Sequence, residues 1–482
     1  MAHLGPIFLI IGILLTILAS AMLIPAAVDY YVMNPDWKNF AASAFFTAFV
    51  GIALIFTNQN RTSRITLKQT FVLTTLSWLV LGIFAAIPLR FARLGLSYTD
   101  AFFEAMSGLT TTGSTVIVGL DMAPPGLLLW RAILQWLGGI GIIVLAMAVL
   151  PILKIGGMQL FRTESSDRSE KVLPRAKQFA AAIGGFYIFL TLFCATCLWL
   201  AGMSGFDAIC HAMTTVATGG FSTHDASILY YDSIKIETVL FFFMLFSGVP
   251  FVLYIQFFRG RPMVLWRDMQ VRWYLFITFG CIIAITCWLY FFRGYYLLEA
   301  IRLSSFNVVS VITTTGYASD DYGQWGSFAI LFFFLFSVTG GCTGSTAGGI
   351  KIFRYQVLFE TAKVQLNRLV QPHGIFRPLY NNKPLEETII SSVLSFFILF
   401  AFFFTSLAIL LSLTGLDYIT SMSAAASALA NLGPGLGEIV GPAGNFSDLT
   451  DIAKWMLAFG MLIGRLEIFT VLILFSPYFW RN

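Results

Sequence analysis

The sequence predicts an all-α polytopic membrane protein: four pseudo-repeated helix–pore-loop–helix units around one central pore, preceded by an N-terminal two-helix hairpin. Three observations predict it. The 482 residues are 58% hydrophobic and only 11% charged, with mean hydropathy +0.82, whereas soluble domains carry roughly 25% charged residues. Apolar runs long enough to cross ~30 Å of hydrocarbon alternate with segments of about a dozen residues, ~18 Å of helix, which are too short to cross. Each short segment ends in a loop closed by glycine, and the loop recurs once per unit.

The elements follow in order. The run from Pro6 to Ala27 lacks a basic head and exceeds a signal-peptide core, so it reads as a retained first span. Spans near 6–31 and 39–57 form the hairpin, within an N-terminal segment 1–68. Unit one (69–178) places spans near 70–90 and 126–150 around a short segment 100–112. Unit two (179–272) uses 179–201, 207–219 and 236–258. Unit three (273–387) uses 274–292, 303–315 and 327–354. Unit four (388–482) uses 389–413, 420–432 and 452–475. The short segments must be re-entrant, because irregular backbone at membrane depth is tolerated only where it is buried in protein or lines a water-filled cavity.

The loops carry the most information. In Val311-Ile312-Thr313-Thr314-Thr315-Gly316-Tyr317 a run of threonines ends in glycine. Threonine is stiff at its first torsion and glycine takes positive φ freely, so the stretch favours a turn over a helix. Thr110-Thr111-Thr112-Gly113 is a close copy; Ala217-Thr218-Gly219-Gly220 and Asn431-Leu432-Gly433-Pro434 are looser ones. Asp100 and Glu104 precede Gly113 by the same intervals at which Asp207 and His211 precede Gly220, so Gly220 rather than Gly219 matches Gly113. Asp100 and Asp207 read as helix N-caps, with direct ion contact the alternative. Four short helices ending at these loops would aim their carbonyl ends at a common centre, which favours a dehydrated cation.

Charge sets an orientation. Twenty basic residues, among them Arg61, Arg64, Lys154, Arg162, Arg168, Lys171, Arg175, Lys177, Arg261, Lys351 and Arg354, fall on one side against eight on the other. The positive-inside rule places that side and both termini in the cytoplasm. The outer side sums to about −8 and the inner to about +13. Several outer acids follow the loop glycines, so the mouth would attract cations and repel anions; plain solvated loops are the alternative.

Two further stretches stand out. Gly340-Gly341-Cys342-Thr343-Gly344-Ser345-Thr346-Ala347-Gly348-Gly349 holds five glycines, and at ~1 kcal/mol each they cannot sustain a helix. The break would lie beneath the four loops and could gate the path; close helix packing through small residues, as at Gly138-Gly139-Ile140-Gly141, is the rival. In Gly464-Arg465-Leu466-Glu467, Arg465 lies twelve residues into the last span, where a bare arginine costs at least ~3 kcal/mol. Glu467 is two residues away and off its face. Arg465 therefore reads as a positive barrier facing the path or the glycine-rich break, with an ion pair to another helix as the rival. Only Glu467 reads as an acid within a span. The six cysteines, including the Cys194/Cys197 pair, read as core packing. His3, His211, His224 and His373 are dispersed, and no nucleophile elbow, P-loop or HExxH occurs, so the chain does not read as an enzyme.

The stretches TTTGST, ATGGFSTHDAS, TTTGYAS, GGCTGSTAGGIK, NLGPGLGE, GRLEIFT and SPYFWR, in this order across essentially the whole chain, resemble the TrkH branch of the Trk/Ktr/HKT potassium-transporter superfamily. The resemblance implies four fused channel-like repeats around one pore, a homodimer, residence in a bacterial inner membrane, and a cytoplasmic nucleotide-binding ring (TrkA-like) that regulates opening. Potassium would be the transported ion, with no covalently bound cofactor, no nucleic-acid partner, and the lipid bilayer as surroundings. Matched by motif, potassium would contact Thr111, Thr112 and Gly113; Thr218, Gly219 and Gly220; Thr314, Thr315 and Gly316; and Asn431, Leu432 and Gly433. The gate would comprise Gly340, Gly341, Thr343, Gly344, Ser345, Thr346, Gly348 and Gly349, with Arg465 lining the pore. The fourth loop reads Ala-Asn-Leu-Gly where the family commonly has Asn-Asn-Leu-Gly, so Ala430 bears on how strongly potassium is selected over sodium. Uptake through a gated, carbonyl-lined pore is expected, with symport coupled to protons or sodium as the alternative. These repeats run parallel, whereas a symporter would show inverted ones.

Overall fold

Long apolar helices with small residues at their crossings build the frame. The computed structural model describes residues 4–59, 66–144, 172–381 and 383–481. Helices α1 (Gly5–Tyr31) and α2 (Trp37–Asn58) form the N-terminal hairpin. They cross at Gly12 and Gly51, where a methyl group on either glycine would lie within 2.9 Å of the other's carbonyl oxygen, the close approach that small residues permit. Asp29, at the end of α1, accepts the Gly126 N–H at 2.7 Å and so ties the hairpin to the first unit.

Unit one comprises α3 (Leu67–Phe91), the short α4 (Tyr98–Leu109) and α5 (Pro125–Val144). Unit two has α6 (Val172–Leu200), the short α7 (Gly205–Val216), α8 (Ile234–Ser247) and α9 (Phe251–Phe258). Unit three has α10 (Met269–Phe292), the short α11 (Leu297–Ile312), α12 (Ser327–Ser337) and α13 (Ile352–Val370). Unit four has α14 (Glu387–Ser412), the short α15 (Tyr418–Ala430), α16 (Asp451–Arg465) and α17 (Ile468–Leu472). Leu379–Tyr380 pairs antiparallel with Lys383–Pro384 in a two-residue hairpin between α13 and α14. Among the described residues seven helices are long and apolar enough to cross a membrane, or nine if two bent pairs each count as one span.

Three predicted spans are broken. The run 236–258 turns by 93° between α8 and α9, at Gly248-Val249-Pro250, where proline lacks the N–H that a continuing helix would use. The run 327–354 stops at Ser337 and resumes only at Ile352, with the glycine-rich segment between. The run 452–475 ends its first helix at Arg465 and turns by 110°, with Glu467 at φ 64°. Arg465 is thus the last residue of a helix rather than a position within one. The predicted 126–150 span is helical to Val144, and its remainder lies outside the described residues, as do Arg61, Arg64, Lys154, Arg162, Arg168 and Lys171.

Each of the first two short helices begins with the same signal. Ser97 and Ser204 are the N-caps, accepting the Asp100 and Asp207 N–H groups at 3.0 Å. Asp100 and Asp207 are therefore third-position residues, not the caps predicted; each carboxylate accepts its own serine hydroxyl, at 2.7 and 2.8 Å. Asp100 also pairs with Lys454 at 2.6 Å, linking units one and four.

Candidate functional site

The four short helices end one turn before the four loop glycines, and the loops repeat one backbone pattern. Two residues before each glycine, Thr111, Thr218, Thr314 and Asn431 are left-handed, with φ between 51° and 55°. Gly113, Gly220, Gly316 and Gly433 follow with φ of 89°, 73°, 83° and 109°. The residue between donates its N–H five residues back. The pairs are Thr112 to Ser107 (2.8 Å), Gly219 to Thr214 (2.8 Å), Thr315 to Ser310 (2.9 Å) and Leu432 to Ser427 (3.0 Å). A non-glycine left-handed residue costs roughly 1–2 kcal/mol, and strain held in place by its surroundings gathers at working sites.

The loops also close on one another. A methyl group on Gly113 would lie 2.1 Å from the Gly219 carbonyl oxygen, and one on Gly220 1.9 Å from that of Thr315. On Gly316 it would lie 2.1 Å from Leu432 O, and on Gly433 2.9 Å from Thr112 O. Loop one thus abuts loop two, two abuts three, three abuts four, and four returns to one. The twelve residues named from sequence are brought together in this ring, in the register that matches Gly220 to Gly113. Gly219 stays in the ring but is not the counterpart of Gly113: its φ is not left-handed, and the Gln135 amide occupies the space of a side chain, 2.4 Å from an added methyl.

Residues to which the sequence reading gives no role in the loops hold them upright. Nine positions before the glycine, Glu104 accepts the Thr115 hydroxyl and the Val116 N–H, both at 2.9 Å. The matching His211 meets the Ser222 hydroxyl through Nε2 at 3.0 Å. The matching Asn307 donates to Ser319 Oγ at 3.0 Å and accepts the Ser319 N–H at 3.2 Å. In unit four Ser423 accepts the Leu436 N–H at 2.8 Å. The register already found for Glu104 and His211 would have located Asn307. Glu104 is fully buried and paired with Arg131 at 2.7 Å, so Glu467 is not the only buried acid near the ring. Arg131 also donates to Ser222 O at 2.8 Å, clasping loops one and two together. Two residues further out, His224 Nδ1 bonds Asp121 at 2.5 Å, and that contact holds the Asp121 carboxyl below the usual carboxylate range.

Beneath the ring lies the glycine-rich segment. Its ends are pinched together by Gly340 N–H to Ile350 O (3.0 Å) and Ile350 N–H to Val338 O (2.8 Å). Its crown reaches three of the short helices or their loops. Thr346 Oγ1 donates to Val216 O at 3.0 Å, the Gly348 N–H to Thr314 Oγ1 at 2.6 Å, and the Gly349 N–H to Ala430 O at 2.7 Å. Ala430, the departure in the fourth loop, is thereby a docking point for this segment. Gly341, Cys342, Thr343, Gly344 and Ser345 complete the excursion, Cys342 N–H reaching Gly248 O at the α8–α9 bend and Thr343 N–H reaching Gln270 Oε1.

Arg465 donates to Thr346 O at 3.1 Å and to Gly138 O at 3.3 Å, and it is 3% exposed. Among the described residues no carboxylate pairs with it; Glu467 pairs instead with Arg354, at 2.6 Å. Lys351 and Arg354, grouped by sequence with the cytoplasmic charges, are buried, and the Lys351 ammonium donates to the Ala347 and Gly348 carbonyls. The charge count treats them as solvated loop charges, whereas the broken helix carries both into the protein interior. Arg465, Lys351, Gly348 and Asn431 share the lining of a cavity of about 20 Å³, room for one water-sized occupant.

Known proteins match this arrangement along its length. The family described as "TrkH: Cation transport protein" matches residues 36–481. The chain is 48% identical to the Trk system potassium uptake protein TrkI of Halomonas elongata, over 99% of this chain and 97% of that protein. It is 40% identical to the Trk system potassium uptake protein TrkH of Escherichia coli K12, over the full length of both. The crystal structure of the potassium transporter TrkH from Vibrio parahaemolyticus superposes with a TM-score of 0.92 at 38% identity, covering 99% of this chain and 100% of that one. With a family match over nine-tenths of its length and relatives aligned end to end, the chain belongs to the TrkH family of cation transport proteins.

Proposed function

We propose that this protein takes up potassium through a gated, channel-like pore, with the ring of four loops as its selective filter. The observation that carries the reading is the closed order of glycine-to-carbonyl contacts from loop one through loop four and back. It gathers peptide oxygens from all four repeats about one axis, and such a ring replaces the hydration shell of an alkali ion. Potassium is the ion because the relatives are named as potassium uptake proteins. The ions contact Thr111, Thr112 and Gly113 and their counterparts in the other loops. Residues 69–178, 179–272, 273–387 and 388–482 act as the four pore units behind the 1–68 hairpin.

The segment 340–349 is the gate and Arg465 its fixed positive barrier. Arg465 binds Thr346 O, and the crown of the segment hydrogen-bonds the bases of loops three and four. The protein works as a homodimer in a bacterial inner membrane, both termini in the cytoplasm, with a TrkA-like nucleotide-binding ring setting the gate. It is a transporter and not an enzyme.

Flux through such a pore runs down the electrochemical gradient, at ~2.3 kcal/mol per charge per 100 mV. Rubidium uptake into proteoliposomes should therefore follow the imposed potential and be indifferent to an imposed proton or sodium gradient. Uptake that rises and falls with either gradient at fixed potential would establish symport instead.

A further inference from the structure

One face of α5 runs down the side of the ring with polar groups at Arg131 and Gln135, four residues apart, followed by the carbonyl of Gly138. Gln135 is fully buried. Its Nε2 donates to the Gly219 carbonyl at 2.6 Å, and its Oε1 accepts the Phe221 N–H at 3.0 Å, so the amide spans the second loop on both sides of Gly220. The other three loops carry a side chain where Gly219 stands, namely Thr112, Thr315 and Leu432. Among the described residues, none of those three carbonyls accepts a side-chain hydrogen bond. The second loop has exchanged its own side chain for an amide from the neighbouring helix.

We infer that Gln135 is a specificity-determining residue: by donating to the Gly219 carbonyl it weakens the field of one corner of the ring and biases selection toward the larger alkali ion. The inference rests on the ring being the filter. A carbonyl that already accepts an N–H presents less negative potential to an ion. The number and field strength of coordinating carbonyls are among the factors that decide between potassium and sodium, a stronger field favouring the smaller ion. Without the donor, the corner reverts to a full carbonyl and sodium gains relative to potassium. Unequal corners also suit a ring built from four different loops.

Two variants separate this role from simple support of the loop. Gln135→Met removes both hydrogen bonds at similar volume, and Gln135→Glu, assayed across pH so that its carboxyl is compared protonated and ionised, retains an acceptor for the Phe221 N–H and loses the donor only in the ionised form. Potassium and sodium uptake are measured in proteoliposomes of the full chain beside the unmodified protein. Both variants should raise the sodium-to-potassium uptake ratio by roughly fivefold, the worth of about one hydrogen bond, with Gln135→Glu in its ionised form moving it at least as far. If Gln135→Met does not reach the membrane folded, Gln135→Glu alone decides. An unchanged ratio in both overturns the inference, and so does a ratio moved by Gln135→Met but not by Gln135→Glu, which would assign the effect to the Phe221 anchor. Failure of the unmodified protein to prefer potassium would instead overturn the filter reading itself.

Discussion

Gly316→Ser is expected to abolish most of the preference for potassium over sodium while leaving the amount of protein in the membrane unchanged. Gly316 has φ 83°, and a Cβ there would lie 2.1 Å from Leu432 O and 2.8 Å from Pro434 Cδ. Serine must therefore either take a left-handed conformation against the next loop or push that loop away. The conformational part alone is roughly 1–2 kcal/mol, a factor of about 5–30, and here it is drawn from the geometry of ion coordination. The same change at Gly433, where the added carbon would be 2.9 Å from its neighbour, should be milder. Paired potassium and sodium uptake assays check both size and ranking; equal preference in all variants would remove the loops from the filter.

Arg465→Ala should raise potassium flux and leave the protein folded. The guanidinium is buried without a carboxylate among the described residues, and it holds Thr346 O and Gly138 O. A fixed positive charge ~8 Å from a passing ion at an effective dielectric of about 20 opposes it by about 2 kcal/mol, so flux should rise by up to roughly thirtyfold. The structural ion pair in this region belongs to Arg354 and Glu467, so removing Arg465 should spare stability as judged by thermal unfolding in detergent. A collapse of folding with no gain in flux would instead make Arg465 a structural residue.

The loops were legible because their signal is local. Threonine stiffness and glycine freedom act within four residues, and the register of Asp100 and Glu104 against Asp207 and His211 required no tertiary knowledge. The breaks in the spans were less so, although Gly248 and Pro250 within one apolar run were a readable warning. What hydropathy could not supply is the consequence of a break. Once the chain leaves the helix at Ser337, Lys351 and Arg354 fall inside the protein, where a count by loops had placed them in water. The burial of Glu104 and Arg131 was hidden for a related reason, since each lies near the edge of an apolar run and only their pairing shows that both are buried. Gln135 carried a faint signal, a polar residue four positions after Arg131 on an otherwise apolar helix, but its partner is a glycine carbonyl more than eighty residues away.

Four loops holding a dehydrated alkali ion on a common axis should bind rubidium in the same place. Anomalous diffraction from crystals grown in rubidium tests this most directly. Rubidium peaks should stand between Gly113, Gly220, Gly316 and Gly433, within coordination distance of carbonyls from all four loops. Peaks confined to the acidic outer loops, with none inside the ring, would contradict the account.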